Sequence, residues 1–274
     1  ALFAYGSRPF FLSSGAFALL LIPLWLWVLR SGATPIAALP AQLWHAHEML
    51  YGFVIAAVAG FLLTAVPNWT GQRGFAGKPL ALLTLAWIAG RLGIAFAHQL
   101  PMPVVIAAEL SFLPLLALFI APPILRTRNR NVAMLAVLAA LWLADAVFLS
   151  AIAQANQPLA STALLATINI VLVLITIVAG RIVPAFTGNA LRLAGRAYLP
   201  RSRAWLESSL PALMLVVCVV DIVLPGSGLA ATLAAAAALL HGIRLSGWAG
   251  ARTLDQPIVW ALHLAYLWLP LGFL

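Results

Sequence analysis

Long apolar stretches follow one another along this chain, separated by short polar or glycine-rich breaks. They lie near 10–30, 44–66, 79–98, 103–125, 131–153, 161–183, 205–224, 228–246 and 256–274. A bilayer core about 30 Å thick takes roughly 20 apolar residues per helix, so the pattern predicts about nine transmembrane helices. In lipid each segment must satisfy its own backbone hydrogen bonds, which leaves helices as the form. The fold class is therefore all-α: a polytopic integral membrane helix bundle, read as one domain over residues 1–274. Pro23, Pro114 and Pro270 fall inside apolar runs and predict kinks. Trp44 and Trp69 are separated by about 37 Å of helix, which predicts one in each interfacial aromatic belt.

Composition agrees with this pattern, since 64% of residues are hydrophobic and only 8% are charged. The net charge of +9 is a topology signal. Numbering the breaks in order, Arg8, Arg73, Lys78, Arg126, Arg128, Arg130, Arg181, Arg192, Arg196, Arg201, Arg203, Arg244 and Arg252 all belong to one side. Only Arg30 belongs to the other, and Arg91 lies inside the third stretch. The positive-inside rule then puts the N-terminus in the cytoplasm. Basic residues spread over loops in this way exclude a nucleic-acid module and leave membrane lipid as the partner. The Arg-rich connection near 188–204 reads as a headgroup anchor. Cys218 sits in an apolar run and reads as a small buried residue, and no Cys-x-x-Cys-His haem-attachment motif is present. Gly71 to Lys78 departs from a phosphate-binding loop at Gln72 and Pro79, so nucleotide-driven transport is not implied. The chain starts on Ala1 and stops at Leu274 inside an apolar run, so a longer parent protein with further helices is expected.

The chemistry concentrates where the second stretch begins, at Trp44-His45-Ala46-His47-Glu48-Met49-Leu50-Tyr51-Gly52. Ionisable groups at the edge of a hydrocarbon slab are costly and mark function by default. Placed by topology, His45, His47, Glu48, His98 and Glu109 form an outer cluster, whereas His241 and His263 meet at similar depth in the inner half. On a regular helix His45 and His47 point about 200° apart. His45 then shares a face with Glu48, Met49 and Gly52, and His47 shares the opposite face with Tyr51. So either His45 precedes the helix or the two imidazoles serve different partners. His with Met favours copper over harder ions, and imidazole is also a haem ligand. His98 or His241 taken singly reads as a packed hydrogen-bonding residue. Arg91, Glu109 and Asp145 are intramembrane charges expected to pair or to line a polar cavity, with Asp145 the better partner for Arg91. A haem propionate is an alternative partner for Arg91. Asn169 reads as an interhelical hydrogen-bonding residue.

Several motifs carry a family resemblance. Ser7-Arg8-Pro9-Phe10-Phe11-Leu12, the Trp44 to Phe53 segment and Phe61-Leu62-Leu63-Thr64-Ala65-Val66-Pro67-Asn68-Trp69-Thr70-Gly71 resemble the NnrS family. Gly180-Arg181-Ile182-Val183-Pro184-Ala185-Phe186-Thr187 and Leu262 to Gly272 resemble it too. The resemblance implies a bacterial inner-membrane protein with haem b and copper, linked to nitric oxide metabolism and nitrosative stress. It implies about twelve helices, so this chain would lack the last ones. It carries His45, His47, Glu48 and His263 over as functional positions without saying which holds which metal. Nitric oxide is the implied ligand, and the electron donor is not specified. Two other readings stand beside it: a carrier or metal-handling membrane protein using the outer His/Glu cluster, and a structural or assembly subunit.

Overall fold

The uncharged run from Phe53 to Val66 sits inside Ala41–Thr70, the most buried of the candidate membrane spans among the described residues. In the computed structural model, residues 2–32, 39–196 and 200–274 are described. The helices are α1 (Ser7–Ser31), α2 (Ala41–Thr70), α3 (Lys78–Ala95), α4 (Met102–Arg126), α5 (Arg130–Ala153), α6 (Gln157–Leu193), α7 (Ala204–Val223), α8 (Gly228–Ser246) and α9 (Pro257–Gly272). Among the described residues, α1 to α8 are each long and apolar enough to cross a membrane, and α9 is a shorter apolar helix. The structure is that of a multi-pass helical membrane protein.

Contacts gather into two compact units, Ala1–Thr167 and Ile168–Leu274. In the first unit α1 lies along α2, α3 packs on α4, and α4 also packs on α2 and α5. In the second unit α8 packs against both α7 and α9. Close approach comes from small residues, as lipid-embedded packing requires. A Cβ added to Gly93 would lie 3.3 Å from Ala108 Cβ, so α3 and α4 meet nearly backbone to backbone there.

Two irregularities shape the first unit. Within α2, Glu48–Val54 winds as a π-helix. Wider winding disturbs the i→i−4 ladder, and neighbours supply hydrogen bonds to its carbonyls. Trp87 Nε1 of α3 donates to Gly52 O at 3.1 Å, and Ser14 Oγ of α1 donates to Phe53 O at 3.1 Å. The second irregularity is a break in α4 at Ser111. Pro114 has no N–H for the carbonyl of Leu110, so the expected kink falls one turn earlier. Trp142 Nε1 of α5 donates to that carbonyl instead, at 3.0 Å.

Three sequence expectations change. The sixth apolar run does not end near 183; α6 continues to Leu193, so Arg181 and Arg192 are helical and much of the expected connection is helix. Pro184 lies inside this helix and does not stop it. The remaining connection includes 197–199, outside the described residues. Trp44 is buried in protein rather than turned to a headgroup belt, whereas Trp69 is half-buried with Phe61 against its ring.

Candidate functional site

Four helices of the first unit each bring charge to one buried place. His47 and Glu48 come from α2, Arg91 from α3, Glu109 from α4 and Asp145 from α5, and all five are buried. Such burial in an apolar slab is tolerable only when each group meets another. His47 Nδ1 faces Glu48 Oε1 at 3.1 Å, and His47 Nε2 faces Asp145 Oδ1 at 3.1 Å and Glu109 Oε1 at 3.9 Å. Arg91 donates through Nη1 to Glu48 Oε1 and through Nη2 to Glu109 Oε1. The imidazole ring is stacked between Tyr51 and Phe148, with centroids 4.9 and 4.6 Å away. Tyr51 then ties the cluster to α5 and α6: its hydroxyl donates to Leu141 O at 3.0 Å and pairs with Thr167 Oγ1 at 2.7 Å. A small cavity of about 10 Å³ adjoins the cluster, lined on its polar side by Tyr51, Arg91, Glu109 and Asp145. Glu109 Oε2 is buried there without a partner, over Gly90, where a Cβ would lie 2.6 Å from it.

This arrangement redraws the outer cluster expected from spacing. His45 does not join it: its ring stacks on Trp25 of α1 at 4.2 Å and 7°, and its Nδ1 is buried without a partner. His98 follows α3 in an exposed turn and pairs with Gln99 at 2.9 Å. Glu48 groups with His47, not with His45, its Oε1 lying 3.1 Å from His47 Nδ1. Arg91 pairs with Glu48 and Glu109 rather than Asp145, whose carboxylate is taken by His47. Asp145 belongs to the cluster all the same. The two histidines of the motif serve different partners, one of the two outcomes left open by their 200° separation.

The second unit holds another polar group. His241 Nδ1 and Tyr266 Oη are 2.5 Å apart, and Arg244 donates to Tyr266 Oη at 3.3 Å, to Thr176 O at 2.8 Å and to both carboxylate oxygens of Glu207. A Cβ at Gly180 would overlap the guanidinium, so Arg244 lies directly on the α6 backbone. His263 Nε2 is 2.8 Å from Thr187 Oγ1. That hydroxyl spends its proton on Val183 O, so it accepts from Nε2–H and leaves Nδ1 as the bare, lone-pair nitrogen. His263 Nδ1 and His241 Nε2 are both buried without a partner. The ring of Trp248 lies 6.3 Å from His263 and 4.6 Å from Tyr266. Sequence reasoning named both histidines but missed Glu207, Arg244, Tyr266, Trp248 and Thr187. Glu207 and Arg244 stand near predicted helix ends, where a charge reads as a topology marker. Asn169 does hydrogen-bond between helices, donating to Asp221 Oδ2 of α7 at 3.2 Å.

The donor chemistry separates the two places. At His47 both ring nitrogens face carboxylates, and the adjoining cavity of about 10 Å³ has room for about one water, far below the roughly 300–1,000 Å³ of ordinary cofactor pockets. Those residues do not fit haem. An imidazole ligand is normally held at one nitrogen by a hydrogen bond and open at the other. His263 has that form at Nδ1, and His241 Nε2 is likewise buried and unpartnered. Both are candidates to ligate haem iron or copper through an imidazole nitrogen.

Compared with known proteins, residues 1–274 match the family model described as NnrS protein, over the whole chain. No curated protein and no solved structure matches it.

Proposed function

Because the chain belongs to the NnrS family, a membrane family of the nitric oxide response, we propose that it is a haem b and copper protein acting on nitric oxide or on the damage it causes. The observation that carries this reading is His263: its ring is fixed through Nε2 by Thr187 and presents a buried, unpartnered Nδ1. His241 presents a second buried, unpartnered nitrogen, Nε2, with Nδ1 against Tyr266 Oη. His45, stacked on Trp25, is the candidate of the first unit. Bound haem iron and copper would supply the positions at which nitric oxide binds or is converted. The protein's own part is to fix the imidazoles, exclude water with Trp248 and Tyr266, and satisfy Arg244 through Glu207. The bacterial inner membrane is the proposed location, with the N-terminus in the cytoplasm.

An optical spectrum and metal analysis of the detergent-purified protein test this directly. A Soret band with stoichiometric iron and copper is expected, and both His263→Ala and His241→Ala should lower cofactor content while the protein still inserts. A colourless, metal-free protein overturns the reading. The buried charges from four helices favour a second reading, a carrier that moves a polar cargo past His47 and Asp145. That reading predicts substrate flux into proteoliposomes that survives loss of haem.

A further inference from the structure

The charged cluster of the first unit is unused by the haem and copper reading, and its composition is peculiar. Two carboxylates, Glu48 and Glu109, pair with one guanidinium, Arg91, and a third, Asp145, pairs with His47. Counting the proton that His47 Nε2 shares with Asp145, the cluster holds one negative charge in excess, inside a slab where unbalanced charge is costly. We propose that His47, Glu109 and Asp145 bind one divalent cation of the zinc, iron(II) or manganese class.

Geometry supports the three ligands. His47 Nε2, Asp145 Oδ1 and a Glu109 oxygen lie within 4.8 Å of one another. Bonds of about 2.1 Å from a tetrahedral ion place donors about 3.4 Å apart. The observed 3.1 Å from His47 Nε2 to Asp145 and 3.9 Å to Glu109 straddle that spacing. An ion at their centre would replace the proton now shared by His47 Nε2 and Asp145.

The surroundings are those of a held ligand set. Glu48 Oε1 sits 3.1 Å from His47 Nδ1 and fixes the proton on that nitrogen, which turns the Nε2 lone pair toward Asp145 and Glu109. Arg91 grips Glu109 through Oε1 only. Oε2 remains buried and unpartnered at the cavity wall, on a residue 6% exposed, with Gly90 giving it room. The small cavity lined by Glu109 and Asp145 adjoins two of these ligands with room for about one water. One imidazole with two carboxylates is a harder set than a copper(I) site, which prefers sulfur and several imidazoles.

The test uses the purified, cofactor-loaded protein, cleared of loosely held metal and titrated with Zn²⁺. One tightly bound zinc per chain is expected beyond the haem iron and copper. Glu109→Gln and Asp145→Asn should each weaken zinc binding at least tenfold with haem and copper content unchanged. Glu48→Gln should weaken it by about 10–100-fold through the orientation of His47. His263→Ala should leave zinc binding alone. If a variant fails to fold, Co²⁺ added to the unaltered protein still decides: visible bands of a four-coordinate site, abolished by one equivalent of Zn²⁺, are expected. No uptake of either ion overturns the proposal. So does uptake that ignores Glu109 and Asp145, or copper occupying these three residues in the protein as isolated.

Discussion

His47 and Asp145 lie 98 residues apart in the chain and 3.1 Å apart in the molecule. One contact thus joins α2 to α5 across the first unit, and it does so with groups that lipid would expel unless they were paired. The cluster around them is an internal polar core in an otherwise apolar bundle, and its members are coupled.

Removing the cation should expose that coupling. Arg91→Leu leaves Glu48 and Glu109 facing each other without their guanidinium, and a broken buried pair costs about 3–5 kcal/mol. By contrast, Arg196 and Asp255 form a solvent-exposed pair, 42% and 51% exposed. Arg196→Ala should change stability by about 0–1 kcal/mol. Unfolding of the two variants in detergent measures the difference, and equal effects would refute the buried network.

Tyr51→Phe keeps the ring against His47 and deletes only the hydroxyl that reaches Leu141 and Thr167. Interhelical hydrogen bonds in membranes average about 0.6 kcal/mol and rarely exceed about 1.7. A loss within that range is expected from thermal unfolding. A loss several times larger would mean that the hydroxyl, rather than ring stacking, sets the position of His47.

The substitute donor in α4 makes a paired prediction. Trp142→Phe strips the Leu110 carbonyl of its partner, because Pro114 cannot supply one. Pro114→Ala restores a backbone N–H at that turn. The double variant should therefore be more stable than Trp142→Phe alone, and a purely additive double-mutant cycle would rule out the exchange of donors.

Gly180→Ala puts a Cβ into the Arg244 guanidinium, which Glu207, Thr176 and Tyr266 all hold in place. Overpacking of this kind costs about 1–3 kcal/mol. The expected result is lower thermal stability and a perturbed His241 environment, read as altered intensity of any haem band. Stability equal to the parent would show that Arg244 is free to swing away.

How much of this was legible in the sequence depends on range. The order of nine apolar helices follows from hydropathy alone, because each helix in lipid is decided within its own twenty-odd residues. That Glu48, Arg91, Glu109 and Asp145 are special follows from their position in apolar runs. Who pairs with whom does not. The 100° rule put Glu48 on the face of His45, but a long side chain at His47's neighbour, followed by a π-helix from Glu48 onward, overrides it. Gly52, inside that segment and packed on Phe17, is the only local hint of it. The apolar run up to His98 predicts that it joins the cluster, yet α3 ends at Ala95 and the histidine lies in an exposed turn.

The π-helix has a mechanical consequence. Trp87 and Ser14 grip consecutive carbonyls, Gly52 and Phe53, from two different helices. An ordinary apolar helix in a bundle can roll about its axis by exchanging one set of dispersion contacts for another. This one cannot roll without surrendering both donors at once. Glu48 opens the gripped segment and His47 precedes it, so the latch that stops α2 from rotating also keeps the imidazole and its carboxylate aimed inward.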